Sequence, residues 1–302
     1  MSLPLLLRHP RLQPWSLRID RAPAALWLVL QTAALWPTWR WMAARLQDGS
    51  DDPLGLLALG ALIALVFALR RDLRAAPRLP WLLAALAGTL AATLWRGEWP
   101  ALLLSLVGVL AWAAGLLAFL PATRRGAMRA AGGVLWPAPR LAVGRLPVLG
   151  LAVLALPLIA SLQFYAGYPL RVLTAEASRW LLAPWFAVVR EGSSLNVNGV
   201  LVIVDAPCSG VQMAWAGYFT ACAVALWAGR SDRAFALRLP LVGAAVLVGN
   251  VLRNSVLVAL QASGHGALPG VHEGVGLAAL AAVCGVIAMG MAARRATVDQ
   301  RY

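Results

Sequence analysis

The chain has 302 residues, of which 61% are hydrophobic and 13% are charged. So few charges among so many apolar residues exclude an ordinary soluble domain and indicate an integral membrane protein. The net charge of +14 would suggest a nucleic-acid partner in a soluble chain. Here the arginines fall in blocks between apolar runs, as residues that set membrane topology do, so we expect a lipid bilayer and no nucleic acid as the partner.

The N-terminal stretch, residues 1–23, has no sustained apolar core and no small-residue cleavage site, so we do not expect a cleaved signal peptide. Beyond it, apolar runs of about 16 to 24 residues recur, and a helix needs about 20 to cross a hydrocarbon core of about 30 Å. The predicted fold is an all-α polytopic membrane protein with eight spans. The predicted spans are 24–42, 54–69, 79–94, 100–120, 146–164, 209–226, 239–260 and 274–292.

Arginine-rich segments alternate with segments that carry few arginines, and positive loops are retained in the cytoplasm during insertion. We therefore expect a protein of the cytoplasmic (inner) membrane with both termini on the cytoplasmic side. The segments expected inside are 1–23, 70–78, 124–145, 230–238 and 294–302. The segments expected to face the periplasm or exterior are 47–53, 96–99, 165–208 and 261–273.

The longest outward segment, 165–208, is expected to contain two elements before the sixth span. Residues 169–183 have the spacing of an amphipathic helix, with Leu173 on the apolar face and Thr174 and Ser178 on the other. Such a helix would lie along the outer interface. The following sequence SSLNVNGVLVIVD places an Asn-Gly pair between two β-prone runs, which predicts a small β-hairpin.

The sequence DAPCSGVQ opens the sixth span with a thiol. Asp205 is a good helix N-cap, and Cys208 would then lie where unpaired backbone N–H groups stabilise a thiolate. Gly210 has no side chain, so another backbone can approach closely. The alternative is that Cys208 is a small buried hydrophobe, which is our interpretation of Cys222 and Cys284. Three cysteines suggest no disulfide framework.

A second polar island, GNVLRNS, lies inside the seventh span. An arginine within a span costs roughly 2.5–3.5 kcal/mol on insertion scales. Counted from Leu239 at 1.5 Å per residue, Arg253 lies about 21 Å into the span, in its outer third. Asn250, Arg253 and Asn254 share one helical face. The alternative is a structural arginine that extends its charged group to the interface.

A third island, GVHEGVG, places His272 at the outer start of the eighth span. No second histidine follows at the spacing of a zinc protease, and no Cys/His cluster has metal-ligand spacing, so neither a metal nor a cofactor is expected. Three spans thus bring a thiol, a guanidinium and an imidazole to one membrane face. These groups form a candidate nucleophilic catalyst: Cys208 attacks a carbonyl, His272 moves protons and Arg253 stabilises the oxyanion. The last two roles are open to exchange, with Arg253 lowering the thiol pKa.

The motifs APCSGVQM, NVLRNS and GVHEGVG resemble the Cys, Arg and His signatures of the exosortase/archaeosortase family, over roughly residues 146–292. The resemblance implies a multi-pass cysteine transpeptidase-like enzyme with Cys208 as nucleophile, Arg253 and His272 as its partners, and Asn250 beside the arginine. It also implies exported substrates with a C-terminal tag such as Pro-Glu-Pro, a transmembrane helix and a basic tail, cleaved at the outer face. The family often has Glu-Ala-Cys-Ser-Gly, whereas here Asp205 stands one residue farther from the thiol, which leaves the tag open.

Residues 1–145 are expected to form a scaffold of four spans and residues 146–302 a catalytic core of four. Two other classes of function remain open. A transporter would use intramembrane Arg and Asn to line a pathway, and a non-catalytic envelope-assembly scaffold would use Cys208 only for packing. A thiol enzyme that transfers an acyl group to a lipid or polysaccharide carrier is an intermediate possibility. The acceptor, water or an amine, is not fixed by the sequence.

Overall fold

A computed structural model describes residues 24–49, 51–125, 129–131, 134–136, 140–203, 209–264 and 270–293. The chain is mainly helical. Its helices are α1 Ala24–Ala34, α2 Trp36–Gln47, α3 Gly55–Ala68, α4 Leu79–Leu94, α5 Ala101–Phe119, α6 Arg145–Leu154, α7 Ile159–Leu182, α8 Val211–Ala228, α9 Asp232–Ala236, α10 Leu239–Ala262 and α11 Val271–Ala292. Its strands are β1 Thr123–Arg125, β2 Arg129–Ala131, β3 Val134–Trp136, β4 Arg140–Ala142, β5 Val188–Glu191, β6 Ser194–Val197 and β7 Val200–Ile203.

Among the described residues, four helical segments are long and apolar enough to cross a membrane: α5, α8, α10 together with α9, and α11. Helices α6 and α7 pass the same test as a bent pair and make a fifth candidate. Helices α1, α3 and α4 are apolar but shorter. The structure therefore shows an integral membrane fold with four to five candidate spans, and the count of eight stays a prediction.

The outer surface of the helices is rich in apolar side chains. Phe67, Leu94 and Leu241 are 65%, 74% and 68% exposed. Exposed side chains of this kind are typical of helices that contact lipid tails, because lipid does not drive them into the protein interior.

The predicted fifth span, 146–164, is wrong as a single straight helix. Helix α6 ends at Leu154, α7 begins at Ile159, and the two differ in direction by 91°. Pro157 lies in this break, where its ring and missing N–H prevent the helical hydrogen-bond ladder from continuing. Helix α7 then continues past Pro169 to Leu182, so the amphipathic helix expected over 169–183 is its C-terminal part and not a separate element.

The predicted hairpin is present. Strands β6 and β7 are antiparallel, and the two residues between them, Asn198 and Gly199, have φ angles of 51° and 87°, as a tight type I′ turn requires. The sequence did not reveal β5, which extends the hairpin to a three-stranded sheet in the order β5-β6-β7. Leu195 and Val197 on β6 are fully buried and form a small core with Val258 of α10.

Helices α8, α10 and α11 pack together around small residues. A Cβ atom added to Gly217 of α8 would lie 2.7 Å from Val246 of α10 and 3.1 Å from Ile287 of α11. Glycine at this position therefore permits the close three-helix packing. Helix α7 packs against α10 and α8, and α6 joins these helices to α3 and α5.

Several segments predicted to be cytoplasmic lie at the same end of the molecule. Arg230 donates to the carbonyl oxygens of Met291 and Ala293, and Arg238 donates to that of Gly290. These arginines satisfy the C-terminal carbonyl groups of α11, which have no partner within the helix. Asp232 in turn accepts a hydrogen bond from the backbone N–H of Leu146 at 2.9 Å.

Candidate active site

The thiol motif is described only from Ser209 onward, and Cys208 and Asp205 lie outside the described residues. The prediction that Asp205 caps the sixth span is wrong, because α8 begins at Val211 with Gly210 in the cap position. The predicted stabilisation of a Cys208 thiolate falls outside the described residues and stays a prediction. The side-chain oxygen of Ser209 instead accepts from the backbone N–H of Val211 at 3.3 Å.

Ser209, the residue after Cys208 in the sequence, is fixed between two elements. Its side chain is 2% exposed, and its hydroxyl donates to Oε1 of Gln163 on α7 at 2.9 Å. The sequence reasoning missed Gln163. Its signal was a lone amide inside an apolar run that had been assigned to the fifth span.

At Gly210, the thiol motif is in close contact with the arginine motif. Its φ is +82°, and an added Cβ would lie 2.9 Å from both Cγ and Nδ2 of Asn250 on α10. A side chain here is therefore excluded both by the left-handed backbone and by Asn250. The close approach expected at Gly210 is thus made by the Asn250 amide of the same chain.

Asn250 and Asn254 are buried and bind α7. Nδ2 of Asn250 donates to Oγ1 of Thr174 at 3.1 Å, and Nδ2 of Asn254 donates to Oγ of Ser178 at 2.9 Å. Thr174 and Ser178 are 1% and 0% exposed, so their assignment to the outward polar face of an interface helix is wrong. Leu173 and Trp180, from the predicted apolar face, are 49% and 66% exposed instead. Small hydroxyl residues let two helices approach and hydrogen-bond in an apolar environment.

Arg253 turns away from this asparagine contact and lies against α11. An added Cβ on Gly276 would stand 3.4 Å from both Nε and Nη2 of Arg253. Gly276 is one helical turn after His272, so the guanidinium and the imidazole belong to the same side of α11. The absent side chain at Gly276 leaves the space that the guanidinium fills. Sequence reasoning missed Gly276, although it stands inside the quoted motif GVHEGVG.

His272 lies in the first turn of α11 and is exposed. It lines a cavity of about 340 Å³ together with Asn254 and Gln261 of α10 and with strand β7. The cavity lies at the end of α10 that follows Arg253, since Asn254 and Gln261 come after it in the chain.

Of the predicted site residues within the described part of the chain, the structure thus joins Gly210 to Asn250, Arg253 to the helix of His272, and Asn254 to the cavity of His272.

The acidic loop between α2 and α3 also reaches this end of the molecule. Oδ2 of Asp52 accepts from Nε2 of Gln212, in the first turn of α8, at 2.8 Å. Oδ1 of Asp51 accepts from the backbone N–H of Ala160 at the start of α7 at 3.2 Å, and Arg45 lies 3.8 Å from its other oxygen. The N-terminal half therefore contacts both elements that hold Ser209.

Basic residues in segments predicted to face outward have acidic partners. Arg179 of α7 and Arg190 of β5 each contact a different oxygen of Glu176 at 2.6 Å. The two ion pairs connect the sheet to α7. Arg45, just before the outward segment 47–53, is likewise paired with Asp51.

Comparison with known protein families gives a match that extends well beyond these motifs. Residues 41–289 match the family described as transmembrane exosortase. The match begins within α2, far before the region of 146–292 on which the motif resemblance rested, so it includes most of the N-terminal half. Comparisons with curated proteins and with solved structures gave no match.

Proposed function

The chain belongs to the transmembrane exosortase family, and from this premise we propose that it is a membrane cysteine peptidase or transpeptidase that removes C-terminal sorting tags from exported proteins. Its proposed substrates carry a short tag of the Pro-Glu-Pro kind, a transmembrane helix and a basic tail. No cofactor takes part in the proposed reaction.

The observation that carries the proposal is the contact of Arg253 with Gly276, one turn from His272. This contact supports a site in which the guanidinium of one helix and the imidazole of another act together. The contact of Gly210 with Asn250, one turn from Arg253, adds the helix that follows the thiol motif. Among residue types, a thiol with an imidazole and a cationic donor is a nucleophilic set suited to acyl transfer.

In the proposed reaction, the thiolate of Cys208 attacks the carbonyl carbon of the scissile peptide bond. Arg253 donates hydrogen bonds to the oxyanion that forms, and such donors are most effective where water is excluded. When the C–N bond breaks, His272 gives a proton to the departing amine of the tag. The thioester left on Cys208 is then cleaved by water or by an amine acceptor, and His272 takes the proton of that second nucleophile.

We further propose an eight-span topology with both termini in the cytoplasm and the site at the outer face. Helices α1 and α2 would form the first span and the bent pair α6–α7 the fifth. Helices of 14 and 16 residues such as α3 and α4 are about 21 and 24 Å long, and a local thinning of the bilayer accommodates spans of this length. In a Cys208→Ala background, which removes the thiol proposed to lie at the outer face, a cysteine introduced at Glu98 should react with an impermeant maleimide outside intact cells and one at Arg233 should not. The reverse pattern would overturn the orientation.

The function is tested by substrate processing in cells. The protein is co-expressed with a reporter that ends in a Pro-Glu-Pro tag, an apolar helix and a basic tail, and reporter size is followed for wild type, Cys208→Ala and Cys284→Ala. Cys284 is half-buried in α11 and controls for the loss of a thiol from a span. We expect shortening by wild type and Cys284→Ala and a full-length reporter with Cys208→Ala. Equal processing by all three would overturn the cysteine mechanism, and processing by none, with all three proteins present, would favour a transporter or a scaffold.

A further inference from the structure

The cavity beside His272 has one wall that is not helical. Strand β7 contributes Leu201, Val202 and Ile203 to it, and α10 contributes Asn254 and Gln261. Strand β7 is the last strand in the order β5-β6-β7, so its only partner within the sheet is β6. The edge of the sheet and the imidazole thus belong to the same cavity.

The register identifies which backbone groups of β7 lie on that edge. In the two-residue turn at Asn198 and Gly199, the flanking residues Val197 and Val200 form a hydrogen-bonded pair. Antiparallel pairs alternate between hydrogen-bonded and non-hydrogen-bonded, so Val202 also bonds β6. The N–H and C=O groups of Leu201 and Ile203 therefore point away from β6.

These edge groups have no other partner in the described part of the chain. The backbone of Leu201 and Ile203 makes no hydrogen bond there with loops, helices or side chains. Their side chains are 61% and 59% exposed. An unpaired edge with donors and acceptors at every second residue is the complement of an extended peptide backbone.

We propose that the substrate polypeptide binds as a fourth strand on the free edge of β7, with one of its side chains in the cavity beside His272. This inference rests on the proposed function, because it concerns how the peptide reaches that site. A volume of about 340 Å³ is near the lower limit of ligand pockets, about 300–1,000 Å³, and suits a peptide side chain better than a lipid. A lipid tail also offers no partner for the four edge groups. In the sequence, Cys208 follows Ile203, the last residue of β7, by five positions.

The test uses a photo-crosslinking residue on each edge of the sheet. Leu201→p-benzoylphenylalanine is compared with Val189→p-benzoylphenylalanine, because Val189 is also 61% exposed but lies on the opposite edge strand, β5. Both changes are made in Cys208→Ala, which keeps the tagged reporter uncleaved, and each is also made with Cys208 intact to measure processing. We expect a crosslink to the reporter, at or next to its tag, from position 201 and at least tenfold less from position 189.

A second measurement tests the strand geometry itself. Synthetic peptides that span the tag are N-methylated at one position each and compete for the crosslink at position 201. Loss of one backbone hydrogen bond should weaken competition about fivefold, and on a strand the sensitive positions alternate, since every second N–H faces β7.

The outcomes separate this inference from the proposed function. If wild type processes the reporter but position 201 crosslinks no reporter, or crosslinks lipid, or if N-methylation shows no alternation, strand addition is overturned while the function stands. If wild type does not process the reporter, the function fails and this inference falls with it. Processing together with an alternating crosslink competition supports both.

Discussion

The two halves of the molecule both hold polar side chains inside apolar helices, but they use them differently. In the N-terminal half, Nε2 of Gln31 donates to the carbonyl oxygen of Ala111 at 2.8 Å and to Thr89 at 3.2 Å, and Trp112 donates to Thr32 at 2.9 Å. These neutral groups satisfy one another and connect α1, α4 and α5. The pattern is that of hydrogen bonds that hold a membrane bundle together.

In the C-terminal half, the buried amides of Asn250 and Asn254 likewise hydrogen-bond to another helix, α7. Here, however, two ionisable side chains lie near these amides. Arg253 lies on Gly276, and His272 lines the cavity. A cavity of about 210 Å³ beside α1 and α4 is lined mainly by apolar residues such as Leu28 and Leu86. Buried amides thus occur in both halves and serve packing in each, whereas the ionisable groups Arg253 and His272 are the ones to which the proposed function gives a chemical role.

The largest expected effect that distinguishes the halves is loss of the guanidinium. Arg253→Ala should lower the rate of reporter processing by about 10²–10³-fold, which is the usual cost of removing one oxyanion donor. Arg96→Ala, in the exposed turn between α4 and α5, should leave the rate unchanged. Rates are measured in purified, folded protein. A full rate with Arg253→Ala would mean that this arginine is a structural polar group, and the two halves would then not differ in function.

The next effect tests the place that Arg253 occupies. Gly276→Leu should displace the guanidinium and lower the rate by up to about 10²-fold, because small misplacements of catalytic groups have costs of this size. Gly285→Leu, on the same helix and with open space around it, is the matched control. In an Arg253→Ala background, Gly276→Leu should have little further effect. Additive losses would show that Gly276 acts by another route.

A smaller effect tests the contact between the halves. Asp52→Ala removes the acceptor of the Gln212 amide and should reduce processing about fivefold, the value of one hydrogen bond of average strength. Asp52→Asn keeps an acceptor oxygen and should restore most of the rate, and Glu98→Ala, an exposed carboxylate in the turn after α4, should change nothing. If Asp52→Asn and Asp52→Ala are equally impaired, the hydrogen bond is not the cause.

The smallest effect on processing is expected within the N-terminal bundle. Gln31→Leu removes two hydrogen bonds and should lower the free energy of unfolding by roughly 1 kcal/mol, seen as a lower midpoint in thermal or denaturant unfolding. The processing rate per folded molecule should not change. A large loss of rate with unchanged stability would indicate that the N-terminal half takes part in catalysis, and would contradict the difference drawn between the halves.

The sequence predicted the positions of the apolar helices well because hydrophobicity over a long window is a strong signal. Helix α4 has the predicted bounds, and α10 differs by two residues at its end. The hairpin followed from Asn198 and Gly199, whose turn chemistry is local. The bend between α6 and α7 was missed because its flanks are apolar on both sides and only Pro157 marks it.

The candidate site was predictable where its residues are unusual in a span and not where they are ordinary. Arg253 and His272 stand out in apolar sequence, so their motifs were found. The buried contacts of Thr174, Ser178 and Gln163 were not predicted, because hydroxyls and amides suit an exposed face as well as a buried contact and only the tertiary packing of α7 decides between them. Asp52 lies in a segment that the sequence predicts to face outward, but no residue next to it in the sequence indicates that it binds Gln212.

The most direct test of the central claim is to capture the acyl-enzyme. Purified protein and tagged reporter are quenched in acid during turnover, and the enzyme is examined by intact-mass and peptide mass spectrometry. The account predicts an adduct with the mass of the reporter up to the cleavage site, on the peptide that contains Cys208, released by hydroxylamine as a thioester must be and absent from Cys208→Ala. Processing that continues with no adduct on Cys208 at any time, and that survives Cys208→Ala, would contradict the account.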